Sequence, residues 1–334
     1  MSSKSLQIAH LRSGGLITNY FCTSRCAHCL YGCSPAWEKR YIDDETAKKN
    51  LLKVKQLGCS SVHIGGGEPL LRPERLMDVL DAATSTGVNI EYVETNSSWY
   101  KDLSEAVALL RELKSHGLAA LLISISPFHN EYIPFYKVKG VLQACKISGM
   151  AVFPWIEDFY SEVNSFDESI PHKLAEYEKK FGEHYVKQAV YRYYLAIRGR
   201  ALSLAKGVSE SYPVQDILRH NNQGCAELSD TSHFHLDLFG NYIPGLCSGL
   251  AIERDDLGSP IDTAKYPFLT LLFSEGIGAF YLLAQHDFGF QAREGYISKC
   301  ELCLHIRQFL VREKGHHSQD LQPLEFYGDA SLMQ

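Results

Sequence analysis

The sequence has no excess of positive charge: 33 Lys and Arg stand against 39 Asp and Glu, giving a net charge of -6 and a pI near 6.2. It offers no bulk counter-charge for phosphates, which disfavours nucleic acid as a partner. Nor does it contain a long apolar run. The opening residues, MSSKSLQIAHLRSGG, lack the apolar core of a signal peptide, and the most apolar later stretch, 266–284, is interrupted by Ser274, Glu275 and Gly276. These absences predict a cytoplasmic protein with no membrane partner. Internal repeats and low-complexity linkers are also lacking, and 45% hydrophobic with 22% charged residues is the balance of a globular chain.

The sequence is rich in cysteine, with ten in all. In a reducing compartment clustered thiols are metal ligands or catalytic groups more often than disulfides, so their spacing decides their meaning. Two groups stand out. Cys22, Cys26 and Cys29 form CxxxCxxC, with Cys33 close behind; Cys225, Cys247, Cys300 and Cys303 lie far downstream, the last two as CxxC. Cys59 and Cys145 read as small buried residues on helix ends or faces.

Up to about residue 206, short apolar runs alternate with amphipathic stretches, the pattern of strand–helix units around a parallel sheet. Strands are expected at 15–21, 61–64, 89–94, 119–126, 151–156 and 188–196, and helices at 44–57, 73–86, 103–116, 134–148 and 169–181. Asp44 can cap the first helix, and Gly58, Gly87, Gly117 and Gly149 can stop successive helices in a left-handed conformation. Six units are too few to close an eight-stranded barrel. The expected fold is therefore α/β, a partial (β/α)6 TIM-type barrel over 1–206 with its chemistry at the C-terminal ends of the strands. A smaller C-terminal module is expected over 207–314, with helices at 266–285 and 304–314, followed by a polar tail over 315–334.

Three thiolates on one loop can wrap three irons of a [4Fe-4S] cube and leave the fourth iron open. A structural zinc site or an electron-transfer cluster would instead need a fourth ligand, for which Cys33 is placed. The second signal is IGGGEPLL after the second expected strand, with Gly66, Gly67, Glu68 and Pro69. Together, in this order, the two segments resemble the radical S-adenosylmethionine (SAM) superfamily. That resemblance implies that SAM chelates the open iron and is cleaved reductively to a 5'-deoxyadenosyl radical. It also implies SAM contacts from Glu68 to the amino group, from Asn96 in VETNSSW, from Ser124 and Ser126 in ISISPFHNEY near the ribose, and from Arg200 in the GRA segment to the carboxylate. A flavodoxin- or ferredoxin-type protein would donate the electron.

Four downstream thiolates suit either a second [4Fe-4S] cluster or a tetrahedral zinc. FHLDLFGNYIPGLCSG reads as a hairpin turning near Gly240 and Asn241 and delivering Cys247. This arrangement resembles SPASM and twitch members, which implies one auxiliary [4Fe-4S] cluster held by Cys225, Cys247, Cys300 and Cys303. The order of features further resembles peptide-modifying members, in particular epipeptide epimerases, and implies a peptide substrate. One departure matters: Ser248 follows Cys247 where such epimerases carry a hydrogen-donating thiol, and a serine O–H is too strong to replace it. Cys33 and Cys145 are the candidate replacements; otherwise the product is a cross-link. His233 and His235 share a strand face and read as ordinary strand histidines. A radical enzyme acting on a small molecule or on another enzyme, and a non-catalytic iron-sulfur carrier, are the competing readings.

Overall fold

The computed structural model describes residues 5–329. Its centre is one unclosed sheet of eight strands in the order β5-β4-β3-β2-β1-β6-β7-β8. The strands are β1 (Gly14–Ile17), β2 (Ser61–Gly65), β3 (Asn89–Thr95), β4 (Ala120–Ser124), β5 (Ala151–Trp155), β6 (Phe234–Asp237), β7 (Asn241–Ile243) and β8 (Ile252–Glu253). From β1 to β5 each strand pairs in parallel with the next, and β6 pairs in parallel with the other side of β1. β7 pairs antiparallel with β6 and with β8, so among the eight strands β7 alone is reversed.

The connecting helices Asp44–Gln56, Pro73–Thr86, Leu103–Ser115 and Phe135–Ser148 lie close to their expected positions. The first is capped by Asp43 rather than Asp44: the Asp43 carboxylate accepts the Thr46 N–H at 2.7 Å. Each helix buries an apolar stripe, Ala47, Leu51 and Val54 in the first and Ala106, Leu110 and Leu113 in the third.

The sixth strand of the barrel is not where the sequence reading puts it. Residues 188–196 fall on the helix Tyr185–Arg192 and the irregular chain after it. Val186, Ala189, Val190 and Tyr193 are buried, and their spacing follows a helical rather than a two-residue period. The sixth parallel strand is β6, so the C-terminal region continues the barrel's own sheet instead of building a separate one. The expected helix over 266–285 is two helices, Pro267–Ser274 and Gly276–Phe288, which break at Gly276 with φ +82. A Cβ there would stand 2.1 Å from the Gln223 carbonyl oxygen. The last long helix begins earlier than expected, at Lys299, and so carries Cys300 and Cys303 on its first turn.

The expected polar tail is packed as far as it is described, and residues 330–334 lie outside the described residues. Asp320 accepts the Phe268 and Leu269 amides at 2.7 and 3.0 Å, capping the helix Pro267–Ser274. Leu321, Phe326 and Tyr327 are buried, and Phe326 lies against Gly32 of the cysteine loop and Gly249. Three aromatic or aliphatic anchors in a short segment give apolar burial enough to order it. Among the described residues no helix is long and apolar enough to cross a membrane. Phe326→Ala is expected to cost about 3–5 kcal/mol in chemical denaturation, the range for a buried aromatic truncated to a cavity; a loss below about 1 kcal/mol would mean that the segment packs only loosely.

Candidate functional site

The loop after β1 carries the first cysteine group. Its ends are tied by a parallel bridge between Phe21 and Ser34, with the Cys22 amide donating to the Ser34 carbonyl at 3.2 Å. Within that ring Cys29 N–H donates to the Cys26 carbonyl at 3.1 Å, a tight turn that gathers the thiols. Cys22, Cys26, Cys29 and Cys33 are all unpaired and line one cavity of about 460 Å³. Burial pushes the Cys22 thiol up to about 12 and Cys26 well above its ordinary value, while the neighbouring Cys33 thiol holds Cys29 down. The Cys22 and Cys26 thiols stay protonated unless a cation takes up the charge, which is what a metal centre does. Cys22 Sγ accepts two N–H donors at 3.4 Å, from Ser24 and from Asn96 Nδ2.

Glycines bring a second loop against the first. Gly67 N–H donates to the Asn19 carbonyl at 2.7 Å, and a Cβ at Gly67 would lie 2.0 Å from the Phe21 oxygen. At Gly66 the φ is +132 and a Cβ would meet the Asn19 oxygen at 2.5 Å. Their small size is needed where two backbones meet, while their other edge faces the cavity. Glu68 turns away from that cavity. Its fully buried carboxylate accepts from Asn96 N at 2.7 Å, Leu70 N at 3.1 Å and Thr95 Oγ1 at 3.0 Å. Burial pushes it up to about 7 against the pull of these donors. In this arrangement the Glu68 carboxylate, expected at the SAM amino group, pins the end of β3 to the glycine loop.

Arg200 is also redirected. Its backbone N–H donates to Cys29 O at 3.1 Å, Nη1 to Cys26 O at 2.9 Å, and Nη2 to Cys33 O at 3.1 Å and Asp329 Oδ2 at 2.8 Å. Asp329 is held in turn by Arg25 at 2.7 Å. The Arg200 side chain, expected at a SAM carboxylate, is 4% exposed and grips the cysteine loop through the Cys26 and Cys33 carbonyls. Gly199 permits the approach, since a Cβ there would lie 1.9 Å from the Leu30 oxygen.

The four downstream cysteines converge although up to 78 residues separate them. Cys225, Cys247, Cys300 and Cys303 line one pocket with Arg198, Lys299 and Arg307. Cys225 precedes a 3-10 turn, Cys247 follows the β6–β7 hairpin, and the other two sit on the helix Lys299–Arg312. Burial pushes Cys247 up to about 12 and Cys225 higher. Three cations beside four thiols suit a negatively charged thiolate cluster.

Unsatisfied buried atoms mark both pockets. Ser24 Oγ and His28 Nδ1 beside the first group, and Ser248 Oγ and Arg307 Nε beside the second, have no hydrogen-bond partner. Buried polar groups are rarely left so, and the donor sets fit a group that each pocket would hold.

Residues 16–151, from β1 to the start of β5, match the family model of the Radical SAM superfamily. This segment is a radical SAM domain. No curated protein matches the sequence. Among solved structures the chain is similar to native anSMEcpe with bound AdoMet, at 14% identity and TM-score 0.45, covering 90% of this chain and 98% of that one. It is similar to BtrN in complex with AdoMet and 2-DOIA, at 13% identity and TM-score 0.43, covering 80% and 89%. It is also similar to Streptococcus suis SuiB bound to the precursor peptide SuiA, at 12% identity and TM-score 0.34, covering 98% and 76%.

In the radical SAM domain Pro69, Asn96 and Ser124 line the cavity as expected positions, whereas Ser126 is spent on capping the short helix Pro127–Asn130 and on His129 Nδ1 at 2.8 Å. Cys145 is fully buried on the helix Phe135–Ser148, outside the cavity wall, because it belongs to that helix's apolar face; this removes it as a hydrogen donor. Sequence reasoning missed other wall residues, among them Tyr31, Glu94, Trp155 and Tyr193. Inward-pointing positions on β3 and β5 could have flagged Glu94 and Trp155, but no local signal marks Tyr193. Arg200→Ala removes one of the two arginines on Asp329 and the Arg200 side-chain donor to the Cys26 and Cys33 carbonyls; a loss of about 3–5 kcal/mol is expected from breaking a buried pair, together with reduced iron per chain after reconstitution. Unchanged stability and iron content would contradict the staple.

Proposed function

We propose that this protein binds a [4Fe-4S] cluster on Cys22, Cys26 and Cys29 and uses it to cleave SAM reductively, abstracting a hydrogen atom from a peptide substrate. The observation that carries the reading is the convergence of the cysteine loop, the Gly66–Gly67 backbone and Asn96 on one cavity. When bound, the cluster supplies the electron that breaks the sulfonium C–S bond, giving methionine and the 5'-deoxyadenosyl radical. The chain's own work is positioning and exclusion. Asn96 and Ser24 donate to Cys22 Sγ, the Gly66–Gly67 edge and Ser124 offer the polar wall for SAM, and Trp155, Tyr193 and Leu122 close the wall with carbon.

A peptide fits the shape of the space beyond. A second cavity of about 620 Å³ shares Ala196, His233 and Leu246 with the first and reaches Arg198 and Cys300 at the downstream thiols. Two cavities that share walls make a run longer than a compact small molecule needs, and an extended chain suits it. Cys225, Cys247, Cys300 and Cys303 are proposed to hold an auxiliary [4Fe-4S] cluster at its far end, and a flavodoxin- or ferredoxin-type protein to reduce the first cluster. With Ser248 beside Cys247 and Cys145 outside the cavity, Cys33 is the candidate thiol that lines the wall and could return a hydrogen atom in an epimerisation; in the cross-link alternative the substrate radical would lose an electron and a proton, and an auxiliary cluster on the downstream cysteines would supply the electron acceptor.

A second reading, a four-cysteine electron carrier, draws on Cys33, which lines the same cavity. The two diverge on one assay: reconstituted protein is incubated anaerobically with dithionite and SAM, and 5'-deoxyadenosine is quantified. The wild type and Cys33→Ala are expected to form it, and Cys26→Ala to fall to background. Equal loss in Cys33→Ala and Cys26→Ala, or none formed by fully loaded wild type, moves the carrier reading to the front. For the auxiliary cluster, Cys300→Ala should lower iron from about eight to about four per chain; an unchanged iron count contradicts it.

A further inference from the structure

Three histidines meet outside both cysteine groups: His233 and His235 on the wall of the first cavity and His63 buried behind them. His63 is on β2, His235 on β6, and His233 just before β6. Gly15 of β1 lies between the two strands, paired with His63 on one side and His235 on the other. Because Gly15 has no side chain, the two imidazoles reach across it: a Cβ there would stand 2.5 Å from His63 Nε2. The two Nε2 atoms are 2.9 Å apart, and one ligand atom from each of the three rings lies within 4.8 Å of the others.

The three rings are mutual neighbours, with His235 edge-on to both others and His63 and His233 nearly parallel at 11°. The centroid separations are 5.2 Å for His63–His233, 5.0 Å for His63–His235 and 4.9 Å for His233–His235. Three imidazoles sharing a tetrahedral ion at ordinary metal–nitrogen distances place their centroids about 5 Å apart. Donor nitrogens would then be roughly 3.4 Å apart, so the His63–His235 contact needs to open by only about half an ångström.

We infer that His63, His233 and His235 form a three-imidazole site for a divalent transition-metal ion of the zinc class, its fourth position turned toward the cavity and Glu94.

The surroundings orient the rings for this. His63 donates a ring N–H to the Gly14 carbonyl, leaving its other nitrogen a lone pair. Tyr31 Oη lies 2.6 Å from His235 Nδ1 and can accept from it, the outer contact that frees Nε2 as a ligand. Glu94 Oε1 is 3.8 Å from His63 Nε2, within reach of an ion or of its bound water. Burial keeps His63 and His235 neutral, the form that ligates, with His63 held down to about 3. An all-imidazole set selects zinc, copper, nickel or iron over magnesium or calcium. The site does not depend on SAM cleavage and stands or falls apart from that reading.

The test uses cluster-loaded protein equilibrated anaerobically with Zn2+ and desalted, with zinc and iron counted per chain and zinc X-ray absorption recorded. One zinc per chain is expected, with iron unchanged and a nitrogen shell at about 2.0–2.1 Å. His233 is exposed, so His233→Ala should fold normally and weaken zinc binding at least tenfold in chelator competition. No retained zinc, a sulfur shell near about 2.3 Å, or equal affinity in wild type and His233→Ala would overturn the site and leave the three rings as a hydrogen-bonded relay.

Discussion

Cys22, Cys26 and Cys29 sit on a loop with no strand or helix to fix them, so their geometry depends on backbone pressed against backbone where residues 19–21 meet residues 66–68. That contact is closer than any side chain allows. It requires Gly66 and Gly67, and it is locked from the β3 side by the Glu68 carboxylate and from the rear by Arg200. A loop gripped on three sides can present thiols to an open cavity without surrendering them to solvent. The entropy of ordering it is offset by hydrogen bonds that water cannot easily replace.

The same contacts set the electrostatics. Burial disfavours thiolates, and the nearby positive charge is placed behind the loop, on Arg200, rather than in the cavity. The cavity therefore remains free for a ligand that carries its own charge. At the downstream group the arrangement is reversed: Arg198, Lys299 and Arg307 line the pocket itself. One thiol set faces a large open space and the other is enclosed by cations, which fits an open iron in the first and a fully ligated cluster in the second.

What the sequence made legible was what is local. Strands β1 to β5, the glycine stops at Gly87, Gly117 and Gly149, the β6–β7 hairpin and the first cysteine group follow from short-range spacing, and the structure places them accordingly. What escaped is long-range. The parallel pairing of β6 with β1 spans more than 200 residues and leaves no periodic trace. The helix Tyr185–Arg192 carries enough Val and Tyr to read as a strand until its burial pattern is seen. Arg200 looks like any arginine near a ligand loop until Asp329 and the Cys26 and Cys33 carbonyls are found around it. His63 hides inside the run that carries the glycine motif, and its two partners lie 170 residues on.

The central claim is that the first cluster keeps one iron open for SAM although a fourth cysteine stands on the same wall. Electron paramagnetic resonance of the reduced first cluster, recorded in a Cys300→Ala background with and without SAM, tests it most directly. The account predicts that SAM shifts the signal and that 17O-labelled SAM carboxylate adds a hyperfine coupling, with Cys33→Ala behaving alike. A signal indifferent to SAM in the parent but altered by Cys33→Ala would show Cys33 on the fourth iron and contradict it.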